Sequence, residues 1–187
     1  GSCFPKDVKA LVKTADECDF DFILLKGVEE ANDRQKRVLS DKILRRLGNS
    51  EEKPLTGKSF AVWGLSFKPR TDDMRDAPSL TIINRLLEMG AKVCAHDPEA
   101  INEAKKHFGD RITYSLNQYE PLTGADALVI ITEWNEYRNP DFDRIKKLLL
   151  IPLIFDGRNL YQPDRMHQAG FEYLPIGRNG KVLCEMN

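Results

Sequence analysis

Residues 59–70 read Ser-Phe-Ala-Val-Trp-Gly-Leu-Ser-Phe-Lys-Pro-Arg, and this stretch decides the fold. Ser59 to Leu65 is a short apolar run that ends in turn residues, which predicts a buried strand. An amphipathic helix is expected next over Ala77–Met89, closed by Gly90. A second strand follows over Lys92–His96 and ends at Asp97-Pro98. The alternation continues with a helix over Glu99–His107, a short strand over Ile112–Tyr114 and a helical turn over Leu116–Leu122. Then come a strand over Ala127–Ile131, a helix over Phe142–Leu149, and a strand over Leu153–Phe155 that runs into Asp156-Gly157-Arg158. A short helix over Asp164–Ala169 and a last strand over Phe171–Leu174 complete the pattern. Short Val, Ile, Leu and Phe runs, each followed by a helix, imply a parallel sheet covered on both faces. Right-handed crossovers make that sheet doubly wound.

Upstream, Pro5-Lys6-Asp7 reads as a helix start, with proline in the first turn and an acid to complement the dipole. Val8, Leu11, Val12 and Ala15 continue that helix to about Cys18. Phe20 to Leu24 reads as a short apolar connection. A longer helix is predicted over Lys26–Leu47, with an apolar stripe of Val28, Ala31, Val38, Leu39, Ile43, Leu44 and Leu47, stopped by Gly48-Asn49. Asn49 to Gly57 is polar, contains Pro54, and reads as a linker. The class is therefore α/β: a Rossmann-like doubly wound parallel sheet preceded by a helical segment. The division is 1–50 for the helical segment, 51–176 for the Rossmann-like domain and 177–187 for a polar tail with no assigned role.

Composition narrows the function. Of 187 residues, 28 are Lys or Arg and 29 are Asp or Glu, a balance that argues against a nucleic-acid or membrane-surface binder. Hydrophobic residues make up 41%, enough for a packed core. No apolar run approaches the roughly 18 residues of a membrane span, and the longest, Leu148 to Phe155, is broken by Pro152. Cys3, Cys18, Cys94 and Cys184 form no CxxC pair, so they are expected as reduced thiols of a cytoplasmic protein. The three histidines lack ligand spacing, and no structural metal is expected. The opening Gly1-Ser2-Cys3-Phe4-Pro5-Lys6-Asp7 has no methionine and reads as a piece of something longer.

Ligands of a doubly wound sheet lie beyond the carboxyl ends of its strands, where strand order reverses. Four segments reach that rim: Ser66-Phe67-Lys68, Asp97-Pro98, Thr132-Glu133-Trp134 and Asp156-Gly157-Arg158. The first strand is not followed by GxGxxG, so the glycines for a bare-backbone approach to pyrophosphate are missing. Instead Lys68 leaves the strand, and Arg75 follows just before the helix, with Thr71-Asp72-Asp73 able to order the loop between them. These charges suit a phosphate or sugar hydroxyls; the bland reading is a solvated turn whose charges pair with each other. Asp97 reads as a turn residue and helix cap rather than a ribose ligand. Arg158 suits a phosphate clamp or a stack on a base, against a plain surface pair with Asp156. Cys3 lies just ahead of a helix N-terminus with Lys6 one turn on, and both features favour a thiolate. Cys18, Cys94 and Cys184 read as inert.

Taken together, Gly1-Ser2-Cys3-Phe4-Pro5-Lys6-Asp7, Gly64 to Arg75 with Asp76-Ala77-Pro78-Ser79, and Phe155-Asp156-Gly157-Arg158 resemble three signatures of the UDP-glucose/GDP-mannose dehydrogenase family. They occur in family order at family-like intervals, so the resemblance covers nearly the whole chain, as the C-terminal part of such an enzyme. It implies oxidation of a sugar C6 alcohol to a carboxylate with two NAD per turnover, through a cysteine thiohemiacetal and thioester. It implies Cys3 as nucleophile, Asp7 as the acid that orients the water or its neighbours, Lys6 and Arg75 toward NAD, and Phe67, Lys68 and Arg158 toward the sugar nucleotide. Segment 1–50 then carries the catalytic cysteine and a connecting long helix, and 51–176 binds the UDP-sugar. The wording of the first two signatures resembles the branch acting on UDP-glucose more than those acting on GDP-mannose or UDP-N-acetylmannosamine. The resemblance also implies a homodimer in the full-length enzyme and an absent N-terminal NAD-binding domain, without which the chain is expected to be inactive. Two other readings stay open: a nucleotide-sugar binding module without chemistry, and a generic Rossmann-like dehydrogenase domain that binds NAD itself.

Overall fold

A computed structural model describes residues 3–178, with side chains from Lys6 onward. Two helices come first, α1 (Cys3–Glu17) and α2 (Ile23–Leu47). The sheet domain then runs β1 (Ser59–Trp63), α3 (Pro78–Glu88), β2 (Lys92–His96), α4 (Ile101–Phe108), β3 (Thr113–Ser115), β4 (Ala127–Ile130), α5 (Phe142–Leu148), β5 (Leu153–Asp156), α6 (Pro163–Gln168) and β6 (Glu172–Pro175). Single 3-10 turns occupy 109–111, 120–122 and 135–137. The sheet order is β3-β2-β1-β4-β5-β6, with every neighbouring pair parallel. The doubly wound expectation is met, and the reversal of strand order lies between β1 and β4.

Side-chain alternation sorts the strands into two cores. Phe60, Val62, Val93, Ala95, Val129 and Phe155 face α2, α3 and α4, where Leu39, Ile43, Ile82, Ile83, Leu86 and Phe108 meet them. Ala61, Trp63, Leu128, Ile130 and Ile154 face the opposite layer, built from Tyr137, Ile145, Met166 and Phe171. Both faces are covered, which is why the strands read as unbroken apolar runs.

Several boundaries differ from the sequence expectation. The first strand ends at Trp63 instead of Leu65, because Gly64 turns the chain at φ +93°. A Cβ at Gly64 would lie 2.4 Å from the Thr132 Cβ, so only glycine lets the β1 and β4 exits approach this closely. The first helix starts at Cys3, two residues before the expected proline. Helix α2 starts at Ile23, absorbing part of the expected connection, and of its apolar stripe only Leu39 and Ile43 are buried, with Ser40 between them. At 25 residues α2 is about 37 Å long, roughly twice the length of a five-residue strand, so its N-terminal half has no sheet to lie on. Its C-terminal half is latched instead. Arg46 forks onto Glu172 at 2.7 and 2.8 Å, and Lys42 Nζ donates to the Pro175 carbonyl at 2.7 Å. Arg85 of α3 meets Asp41 at 2.7 Å.

The carboxyl ends of β1, β2 and β4 are joined through one side chain. Asp97 is 1% exposed. Its Oδ2 accepts from Leu65 N at 2.7 Å, Ser66 N at 3.1 Å, Ser66 Oγ at 3.3 Å and Trp134 Nε1 at 3.1 Å. Its Oδ1 accepts from Glu99 N at 2.9 Å and Ala100 N at 2.8 Å. The turn-and-cap role expected of Asp97 is thus one half of a larger one. Beside it, His96 Nδ1 lies 2.8 Å from the Tyr137 hydroxyl, which itself donates to the His96 carbonyl at 3.1 Å.

Two outcomes follow from these buried groups. Asp97→Asn replaces one acceptor oxygen with a donor that must face N–H groups, so it is expected to lose about 2–4 kcal/mol in urea unfolding. Wild-type stability in that variant would contradict the shared-acceptor role. Burial holds the His96 imidazole below its ordinary 6.5, against the opposing Asp97 charge. A depressed value means that the unfolded chain binds the proton first, so stability is present above pH 6.5 and falls as the pH drops below it. Unfolding free energy measured from about pH 7 to about pH 5.5 should decline less steeply in His96→Gln than in wild type. Equal slopes would show that His96 does not carry the effect.

Candidate functional site

Where strand order reverses, the segments after β1, β4 and β5 converge. The backbone N–H groups of Leu65 and Ser66 stand where a dinucleotide fold offers donors to a pyrophosphate. Here Asp97 Oδ2 takes both of them. With a carboxylate in the donor nest and no glycine fingerprint, this turn does not fit NAD.

The open ground lies on the other side of the loop, in a cleft of about 250 Å³ between the sheet rim and α2. Phe67 enters it from the β1 exit, Arg75 and Asp76 from the run-in to α3, and Gly157 and Arg158 from the β5 exit. Apolar floor comes from Ile82 and Ile131, and α2 closes the far wall with Asn32, Gln35, Lys36 and Leu39. Gly157 suits this closeness, since a Cβ there would sit tightly at 3.1 Å from Leu39 Cδ2 and 3.0 Å from the Ile130 carbonyl oxygen.

Each arginine of the cleft is held by a carboxylate. Arg75 Nε and Nη2 donate to Asp73 Oδ1 at 2.9 Å and Oδ2 at 2.7 Å, and Asp73 Oδ1 also accepts Arg75 N at 2.9 Å. The Arg75 side chain and then its backbone N–H pull the Asp73 carboxyl down to about 2, with the Lys6 charge adding to them. Thr71 Oγ1 accepts Asp73 N at 3.1 Å, so Thr71 and Asp73 do order this loop. Arg158 Nε and Nη2 donate to Glu133, the second at 2.6 Å. Burial pushes the Glu133 carboxyl up, but the Arg158 hydrogen bond and charge outweigh it and hold it below the ordinary carboxylate value.

The expected surface pair between Asp156 and Arg158 is not what forms. The Asp156 side chain is fully buried, accepting Arg158 N at 2.7 Å, Leu160 N at 2.8 Å and the Tyr173 hydroxyl at 2.7 Å. It shapes the turn from within, while the guanidinium pairs with Glu133. The bland alternative of charges pairing across the loop is realised by Arg75 and Asp73, yet Arg75 still lines the cleft.

Of the residues singled out in sequence, the structure brings Phe67, Arg75 and Arg158 into one cleft. Lys68 is exposed and outside that lining, with its ammonium 5.3 Å from the Phe67 ring centre. Lys6 and Asp7 are exposed on α1. That helix lies along the 71–76 loop: Lys9 pairs with Asp76 at 3.5 Å, and the Lys6 charge reaches Asp73. The Cys3 side chain lies outside the described residues, as do Cys184 and the tail beyond Arg178. Sequence reasoning missed Asn32, Gln35 and Lys36. The signal was there: 32, 36, 39 and 43 share one helical face, which turns from apolar to polar where it leaves the core.

Residues 61–163, more than half of the chain, match the UDP-glucose/GDP-mannose dehydrogenase family, UDP binding domain. The chain is 44% identical over 190 residues to a UDP-glucose 6-dehydrogenase of Pseudomonas aeruginosa, covering 99% of this chain and 41% of that protein. It is 44% identical over 178 residues to a UDP-glucose 6-dehydrogenase of Rhizobium meliloti, covering 95% of this chain and 40% of that protein. The chain therefore spans about two fifths of the length of these curated relatives. Among solved structures, a UDP-glucose dehydrogenase from the archaeon Pyrobaculum islandicum superposes with a TM-score of 0.76 at 30% identity, over 93% of this chain and 37% of that one. The cleft is built from the loops that carry the second and third sequence signatures, and the family match runs through both; the chain belongs to the UDP-glucose/GDP-mannose dehydrogenase family and carries its UDP-binding domain.

Proposed function

We propose that this chain is the C-terminal part of an NAD-dependent UDP-glucose 6-dehydrogenase, which oxidises UDP-glucose to UDP-glucuronate. One observation carries the reading: Phe67 and Arg75 from the β1–α3 loop and Arg158 from the loop after β5 line a single cleft. Arg158 offers a forked cation to the diphosphate or sugar, and Phe67 an apolar face beside it. Lys68 reaches the nucleotide from outside the cleft lining, as a flexible point charge. The relatives at 44% identity from Pseudomonas aeruginosa, Rhizobium meliloti and Bacillus subtilis are all UDP-glucose 6-dehydrogenases, which supports UDP-glucose over other sugar nucleotides.

Cys3 is the proposed nucleophile. It is the first residue of α1, where helix N–H groups favour a thiolate. Lys6 follows one turn on, and Lys9 ties the helix to Asp76 at the cleft. The thiolate would bond the C6 carbon of the aldehyde and carry it between the two oxidations, and water, oriented by Asp7 or its neighbours, would release the carboxylate. NAD supplies the two hydride acceptances when bound. Its pyrophosphate has no place at the β1 exit, so its main seat belongs to polypeptide outside this chain, with Lys6 and Arg75 reaching toward it from this side. The exposed apolar residues Leu11, Ile23, Leu24 and Val28 on the two helices, with Phe20 in the turn between them, support a homodimer as part of the same reading.

The isolated chain is expected to produce no NADH from UDP-glucose and NAD in an absorbance assay, and robust turnover would contradict the proposed division of labour. In the full-length polypeptide, Cys3→Ser should abolish UDP-glucuronate formation while leaving UDP-glucose binding within about twofold of wild type. A variant that still forms the acid at the wild-type rate would remove Cys3 from the mechanism.

A further inference from the structure

Glu133 does not line the cleft, yet its two chain neighbours are both anchored in the buried rim. The residue before it, Thr132, is 1% exposed and donates through Oγ1 to the Ser66 carbonyl at 2.5 Å. The residue after it, Trp134, donates to Asp97 at 3.1 Å. Glu133 is therefore clamped between two buried anchors on either side of its Cα. From there its carboxylate takes the Nε and Nη2 edge of Arg158 in a bidentate grip, with the Nη2 contact at 2.6 Å. That edge-on pairing uses one side of the guanidinium and leaves the Nη1 end for a ligand, since Arg158 lines the cleft and Glu133 does not.

We propose that Glu133 is a positioning residue for sugar-nucleotide binding: it fixes the Arg158 guanidinium so that the remaining donors face the cleft and meet the anionic diphosphate. This rests on the reading that Arg158 contacts the sugar nucleotide. The arrangement resolves an apparent conflict. A carboxylate beside an anion site repels the ligand, and by Coulomb's law alone its removal should tighten binding. A long arginine side chain, however, loses rotamer freedom when it is made to meet a ligand, and a pre-formed grip removes that cost before the ligand arrives. Positioning and simple charge therefore predict opposite signs for the same substitution.

The test uses the full-length enzyme and UDP-glucose. Glu133→Gln should raise KM for UDP-glucose about tenfold with kcat nearly unchanged, although it deletes a negative charge near the anion. Glu133→Asp keeps the charge but is one methylene shorter and draws the carboxylate back from both nitrogens, so its KM should rise as well. In an Arg158→Ala background, Glu133→Gln should add nothing further, because the residue it acts through is gone. Thermal unfolding of each variant, measured alongside, separates loss of fold from loss of grip, and Glu133→Asp keeps the comparison open if Glu133→Gln unfolds. A KM for Glu133→Gln at or below wild type, a wild-type KM for Glu133→Asp, or an undiminished effect in the Arg158→Ala background would each overturn the proposal. A wild-type KM in Arg158→Ala alone would instead overturn the parent reading that Arg158 meets the nucleotide.

Discussion

A single buried carboxylate sets the plan of this domain. Asp97 directly follows β2 and collects N–H and O–H donors from the β1 exit, the run-in to α4 and the indole that follows β4. An ionised group at 1% exposure persists only with such a full set of partners. Its placement decides what the rim can bind. The donors that a dinucleotide fold turns toward pyrophosphate are turned here toward an internal carboxylate, and the proposed function gives recognition to side chains on the α2 side of the same loop. The fold keeps the topology of a doubly wound sheet while the proposed ligand ground shifts to the other side of one loop.

That shift changes the physics of recognition. Backbone donors at a helix N-terminus are rigid and need no support. Arginines on loops have long side chains with many rotamers, and here each is paired with a carboxylate: Arg75 with Asp73 and Arg158 with Glu133. Those carboxylates are themselves fixed, the first by Thr71 and the backbone of its own loop, the second by the anchors on either side of it. The chain of support leads from the Asp97 cluster through Trp134 to Glu133 and Arg158, so the stability of the rim and the geometry of the cleft share residues.

Much of this was legible in the sequence, for reasons that can be named. Buried parallel strands such as Ala127–Ile130 are unbroken apolar runs, and loops such as Asp156-Gly157-Arg158 announce their turns through glycine. The doubly wound parallel topology followed from the alternation of strands and helices and the handedness of crossovers, and the order of the strands came from the structure. What escaped was pairing over distance. Asp97 reads locally as a cap, and nothing in its neighbours tells that Leu65, Ser66 and Trp134 also donate to it. Arg158 reads as the neighbour of Asp156, yet burial of Asp156 and the meeting of β4 with β5 give it Glu133 instead. Helix α2 reads as a continuous apolar stripe, but a stripe does not say where its partner surface ends, and the polar face at Asn32, Gln35 and Lys36 took its meaning only from the cleft it closes.

The central claim is that the β1 exit is filled from within and that the α2-facing cleft takes the ligand. Backbone amide shifts of the labelled chain, titrated in parallel with UDP-glucose and with NAD, test it most directly. The account predicts that UDP-glucose moves the amides of Phe67, Gly157 and Arg158 more than NAD does, while those of Leu65 and Ser66 stay near their free positions with either ligand. Larger shifts at Leu65 and Ser66 with NAD, and none in the cleft with UDP-glucose, would contradict it.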